Sequence, residues 1–158
     1  MLERVSHSNG VASYQSPKLR AVGVRHGFST RVGGVSGGVF KSLNLGNPGE
    51  GEKDMPANIA ENFRRFQEAL GCEGVPRAWV RQVHGRMVEL IEPEPEGEYA
   101  ETLEAEVRDR YSGQLSADGL VAAVPGVLLT VRVADCVPVL LASEDGRVVA
   151  AVHAGWRG

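Results

Sequence analysis

With 158 residues, 42% of them hydrophobic and 23% charged, the chain has material for one ordinary core and too little for two. Its net charge of −3 and scattered arginines exclude a nucleic-acid binder that works by neutralising phosphates. The opening MLERVSHSNG has no apolar stretch of signal-peptide length and no segment approaches a membrane span, so a cytoplasmic protein with reduced Cys72 and Cys136 and no membrane partner is expected.

In chain order, the first twenty residues are polar and read as loosely packed. AVGVRHGFSTRVGGVSGGVF reads as a strand entering a loop in which Gly33, Gly34, Gly37 and Gly38 supply backbone freedom. The N-P-G of SLNLGNPGEGEKD continues that loop as turn chemistry. A helix is expected from about Met55 to Leu70, with Asp54 as cap, Pro56 in the first turn and Gly71 as the stop. Ile59, Phe63, Phe66 and Leu70 share one of its faces, which predicts packing on a sheet. AWVRQV and RMVELI read as two strands joined tightly through His84-Gly85. The run holding Glu92, Glu94, Glu96, Glu98, Glu101, Glu104 and Glu106 reads as a solvated loop and an exposed helix, not as an acid–base pair. GLVAAV, a Pro125-Gly126 turn, VLLTVRV, VPVLLA, an Asp145-Gly146 turn and RVVAAVH then form a β-rich second half. The expected class is α+β, with a mostly antiparallel or mixed sheet packed with helices.

Chemistry concentrates in ADCVPVLLASEDGRVVAAVHAGWRG. If Asp145 and Gly146 form the hairpin loop, Pro138 lies opposite His153 and Cys136 is one diagonal step away. If Glu144 and Asp145 form it, Cys136 faces His153 directly. Both registers keep thiol and imidazole on one face, with Cβ atoms roughly 5–8 Å apart, within reach of one metal or of each other. A three-residue loop would break this parity, and Pro138 cannot donate to the ladder. His84 lies too far upstream to be placed by spacing, and no local zinc pattern such as C-x-x-C is present.

RHGFSTRVGGVSGGVFKSLNLG, RQVHG, ADGLV, ADCVPVLL and VHAGWRG follow one another in that order. Together they resemble the laccase-domain family, once called multicopper polyphenol oxidases. Its members are described as purine nucleoside phosphorylases with adenosine deaminase activity, and some as peptidoglycan-editing factors. The resemblance runs from about Arg25 to the last residue. It implies that His84, Cys136 and His153 are catalytic zinc ligands, with a fourth position open for water or substrate. Copper is the less favoured metal, because a copper cluster beside a two-histidine, one-cysteine site would need more histidines than His7, His26, His84 and His153.

The resemblance implies two reactions, phosphorolysis of adenosine, inosine or methylthioadenosine and deamination of adenosine, with purine nucleoside and phosphate as partners. For the phosphate, Arg31 beside the glycine-rich loop is the candidate, with Ser29 and Asn44 lining the same pocket. Arg157 could reach an anionic group. Asp118 and Asp135 are the candidates for a proton shuttle. Two rivals are a Cys136–His153 hydrolase or amidase acting on a peptidoglycan precursor, and an inactive fragment. Family members continue well past H-A-G-W-R-G. Residues 1–158 are therefore expected to form a single laccase-like domain lacking the C-terminal third of the family fold. An apolar face or sheet edge would be left uncovered and open to self-association.

Overall fold

The structure, a computed structural model, describes residues 1–92 and 99–156. It divides into two units, Met1–Gly74 and Val75–Gly158. The described residues combine short helices with three sheets, an α+β fold.

In the N-terminal unit, β1 (Glu3–Ser6) and β2 (Ala12–Gln15) form an antiparallel hairpin, and β3 (Phe28–Ser29) adds to β2. The opening residues are therefore not loose. Gly10 closes the turn at φ 85°, a left-handed conformation that costs glycine little, and Val11, Ala12 and Ser13 are buried. ERVS and ASYQ carry few large apolar residues, so the period-two signal of these strands is faint. A short helix α1 (Pro17–Ala21) and a 3-10 turn (Gly38–Phe40) lead to α2 (Pro56–Ala69), which lies within the expected limits. Gly71 stops α2 with φ 67°.

The partner of α2 differs from expectation. Phe63 and Leu70 are buried, but what α2 meets is loop: a Cβ on Gly27 would lie 2.7 Å from Leu70 and 3.5 Å from Phe66. Asn62, fully buried, donates to Ser36 Oγ and to the Asn44 and Ser42 carbonyls, and accepts the Val35 N–H. The helix thus fastens the glycine-rich loop. Gly34 tolerates no side chain there, because a Cβ would fall 2.1 Å from the Ser42 carbonyl oxygen.

The second unit holds β4 (Arg77–Arg81), β5 (Val88–Ile91), α3 (Tyr99–Asp109), β6 (Ser112–Ser116), β7 (Gly119–Ala122), β8 (Leu128–Leu129), β9 (Val137–Ala142) and β10 (Val149–Ala154). One sheet has the order β6-β4-β8 and is parallel throughout; the other has the order β5-β7-β10-β9, with β5 parallel to β7 and the rest antiparallel. β4 and β5 are therefore not a hairpin, because the chain changes sheets between them. Ala78 and Val80 of β4, Ile91, Leu120 and Ala122 join Leu103, Val107 and Tyr111 in one core. Leu103, Val107 and Tyr111 follow at four-residue spacing, so α3 presents an apolar stripe inward instead of lying wholly exposed. Glu94, Glu96 and Glu98 of the acidic run lie outside the described residues.

The β9–β10 hairpin takes the first of the two registers: Val149 faces Ala142 and His153 faces Pro138. Its loop spans Glu144 to Arg147, closed by Ser143 N–H to the Val148 carbonyl at 2.9 Å. Four loop residues preserve the parity of two. Pro138 costs the ladder nothing, because β9 is an edge strand and His153 directs its N–H away from β9, to the Asp118 carbonyl at 2.7 Å. A residue opposite it therefore points its own nitrogen outward.

The face of this sheet turned away from the core is apolar at every strand position: Val88, Leu90, Gly119, Val121, Ala150, Val152, Ala154, Val137, Val139 and Leu141. Val137 is 61% exposed and Leu141 56%. Among the described residues, no helix is long and apolar enough to cross a membrane.

Candidate metal centre

The parallel strands deliver their carboxyl ends to one place, the position at which α/β sheets present ligand-binding loops. β4 ends at Arg81 and runs on to His84, β6 ends at Ser116 and runs on to Asp118, and β8 ends at Leu129 and runs on to Cys136. His153 arrives from the other sheet, on β10. One donor atom each from His84, Cys136 and His153 lies within 4.8 Å of the other two.

Asp118 organises this arrangement. It is buried, and its carboxylate accepts three consecutive backbone N–H groups: Val83 at 3.3 Å, His84 at 2.9 Å and Gly85 at 2.7 Å. Successive N–H groups converging on one anion form a nest. His84 adopts φ 58° within it, an uncommon conformation for a residue with a side chain. The fourth donor is the Nδ1–H of His153, 2.7 Å from Asp118 Oδ1. Burial pushes the Asp118 carboxyl up, but the bonds from Gly85, His153, His84 and Val83 together hold it below its ordinary value. An ionised Asp118 fixes the proton of His153 on Nδ1 and leaves Nε2 as a bare donor facing the cluster.

The rest of the geometry fits one metal ion. The His84 and His153 rings stand edge to face with centroids 4.8 Å apart. Gly155 backs His84 so closely that a Cβ there would lie 3.1 Å from its ring. Tetrahedral zinc with bonds of about 2.0–2.3 Å separates its donors by about 3.3–3.8 Å, so the three atoms need approach by only about 1 Å. Two imidazoles and a thiolate suit zinc, and copper also accepts such a set. His84 is exposed, Cys136 half-buried and His153 buried, which leaves an open side to the cluster.

The other expected residues belong to the N-terminal unit. Arg31 is exposed; its Nε and Nη2 each donate at 3.0 Å, to the carbonyls of Lys41 and Val39, so it braces the glycine-rich loop. Asn44 donates to Asp54 and accepts the Gly46 N–H, and Ser29 is exposed on β3. Of the two shuttle candidates, Asp135 is exposed, and Asp118 has four donors on its carboxylate and serves as an anchor. Arg157 lies outside the described residues. Gln82 and Gly155 were not anticipated, and their only signal was adjacency to His84 and His153.

A family model described as multi-copper polyphenol oxidoreductase laccase matches residues 25–158. A purine nucleoside phosphorylase of Deinococcus radiodurans is 40% identical over 144 residues, covering 90% of this chain and 48% of that protein. A purine nucleoside phosphorylase of Pseudomonas aeruginosa is 41% identical over 135 residues, covering 85% of this chain and 46% of that protein. Among solved structures, YlmD from Geobacillus stearothermophilus superposes with a TM-score of 0.72 at 27% identity, over 98% of this chain and 53% of that one. The chain thus spans about half the length of the relatives it matches.

Proposed function

The chain belongs to the multi-copper polyphenol oxidoreductase laccase family, and from that premise we propose that His84, Cys136 and His153 hold zinc in a purine nucleoside phosphorylase that also deaminates adenosine. The observation that carries this reading is the convergence of the three donors, with Asp118 presetting the His153 tautomer. Relatives named purine nucleoside phosphorylase support the substrate class, purine nucleoside and phosphate. Adenosine, inosine and methylthioadenosine are the nucleosides we assign. When bound, the metal supplies Lewis acidity at an open fourth position.

The chain's own residues supply the rest. Asp118 holds the Nδ1 proton of His153 and keeps Nε2 turned to the cluster. Its nest holds the left-handed corner that aims His84. Cys136 contributes a thiolate, which requires a reduced cysteine and favours a cytoplasmic setting; both cysteines are free. In the N-terminal unit, we assign phosphate recognition to Arg31, through the guanidinium edge that its two loop bonds leave over, with Ser29 and Asn44 lining the same pocket. In phosphorolysis a phosphate oxygen bonds to C1′ as the C1′–N9 bond breaks, and the electron pair leaves with the base.

The test is phosphate-dependent release of hypoxanthine from inosine by the purified chain. Release that His153→Ala abolishes supports the reading. A folded, zinc-loaded chain that releases no base from any of the three nucleosides contradicts it.

A second reading is a cysteine hydrolase. Cys136, His153 and Asp118 stand in the order of a nucleophile, base and orienting carboxylate. That triad gives no role to His84 on its constrained corner, so zinc is the reading we favour. We further assign self-association of two copies to the apolar outer face of β5-β7-β10-β9, where burial of the exposed valines and leucines supplies the driving force.

A further inference from the structure

The segment that carries Cys136 has few attachments. Residues 132–135 are exposed, and Thr130 makes the last backbone bond of β8, to the Ala78 carbonyl at 2.9 Å. Among the described residues, the backbone hydrogen bonds between Thr130 and β9 all go to one side chain, that of Gln82. Its Nε2 donates to the Arg132 carbonyl at 2.7 Å and its Oε1 accepts the Arg132 N–H at 2.8 Å. This reciprocal pair is the one that two facing residues exchange in an antiparallel ladder, with a side-chain amide standing in for one peptide. Arg132 is held a second time, its guanidinium 5.2 Å from the centre of the Trp79 ring.

Gln82 therefore ties two of the three donors together. It precedes His84 by two residues, and Arg132 precedes Cys136 by four. The peptides between them, Val83 on one side and 133–135 on the other, are short enough to carry a shift at the clamp directly to both donors. Asp118 fixes the His84 and His153 sides, but none of its bonds reaches the Cys136 segment.

We propose that Gln82 is a positioning residue of the metal centre, whose side-chain amide fastens the Cys136 segment to the His84 corner so that thiolate and imidazole are held at one ligand site before the metal arrives. The proposal rests on the metal-binding reading of the cluster. Gln82→Met keeps the length of the side chain and removes both bonds. Gln82→Glu keeps the acceptor for the Arg132 N–H and removes the donor.

The experiment is titration of the metal-free chain with Co2+, read by the thiolate-to-cobalt charge-transfer band and the d–d bands of a four-coordinate ion. The parent should bind one equivalent with the thiolate band. Gln82→Met should bind about 10- to 100-fold more weakly, with a diminished thiolate band, as loss of a partner outside the ligand set does elsewhere. Gln82→Glu should fall between, a graded rescue that general loosening of the fold would not produce. Far-UV circular dichroism checks folding, and Gln82→Glu carries the test if Gln82→Met does not fold. A Gln82→Met or Gln82→Glu chain with parental affinity and band overturns the proposal and leaves the metal reading standing. A folded parent without a thiolate–cobalt band overturns both.

Discussion

Asp118 Oδ1 lies 2.7 Å from His153 Nδ1, and the same carboxylate accepts the backbone of Val83, His84 and Gly85. One buried side chain thereby sets the tautomer of one donor residue and the backbone of another. Asp118→Asn replaces two acceptor oxygens with one acceptor and an NH2 group facing N–H donors. It should cost about 2–3 kcal/mol of folding stability and weaken zinc about 10- to 100-fold. Urea unfolding and zinc titration of parent and variant check this; parental values in both would contradict the role assigned to Asp118.

Alkylation of Cys136 separates the metal centre from the cysteine hydrolase. A zinc-bound thiolate should react slowly with iodoacetamide in the loaded protein and quickly after chelation. Fast reaction of the zinc-loaded protein, unchanged by chelator, favours the hydrolase. Peptide mapping distinguishes Cys136 from buried Cys72, whose thiol is pushed up by burial.

Acid should act on the N-terminal unit through Asp54. Hydrogen bonds from Ser36, Asn44 and Asn58 hold its carboxyl at about 2, with the Met55 N–H adding to them against the opposing effect of burial. A carboxyl lowered on folding stabilises the native state fully above its ordinary value near 3.8, and that contribution is lost as pH falls through about 2. Thermal midpoints of the parent should therefore decline between about pH 4 and pH 2, and Asp54→Asn should flatten that part of the profile. An identical slope in the variant would show that other groups carry the acid response.

The outer sheet face gives a prediction on assembly. Val88 and Leu90 on the β5 edge and Val137 and Leu141 on the β9 edge are exposed on the same face, with β7 and β10 between them. Sedimentation velocity should show concentration-dependent association of the parent, with Leu141→Lys combined with Val88→Lys shifting it to monomer. A parent that stays monomeric throughout the micromolar range contradicts self-association.

Parts of this structure were legible in the sequence because their signals are local. α2 announced itself through Pro56, Gly71 and its apolar spacing, and the Cys136–His153 pairing followed from the parity of one hairpin. His84 was not placeable from spacing, and only the family resemblance brought it in. Its approach depends on parallel pairing of β4 with β6 and β8, a long-range closure that no local pattern encodes. The join between β4 and β5 was misread because the left-handed corner at His84 redirects the chain into a second sheet. The apolar stripe of α3 was masked by the surrounding glutamates, and the N-terminal hairpin by its polar, four-residue strands.

Whether His84, Cys136 and His153 hold a metal is decided by zinc per chain, measured by mass spectrometry of the purified protein beside Cys136→Ala. About one zinc in the parent and almost none in the variant is the result expected of a three-ligand site with an open position. A well-folded parent that holds no zinc after exposure to it, or a variant that holds as much as the parent, would contradict the metal centre.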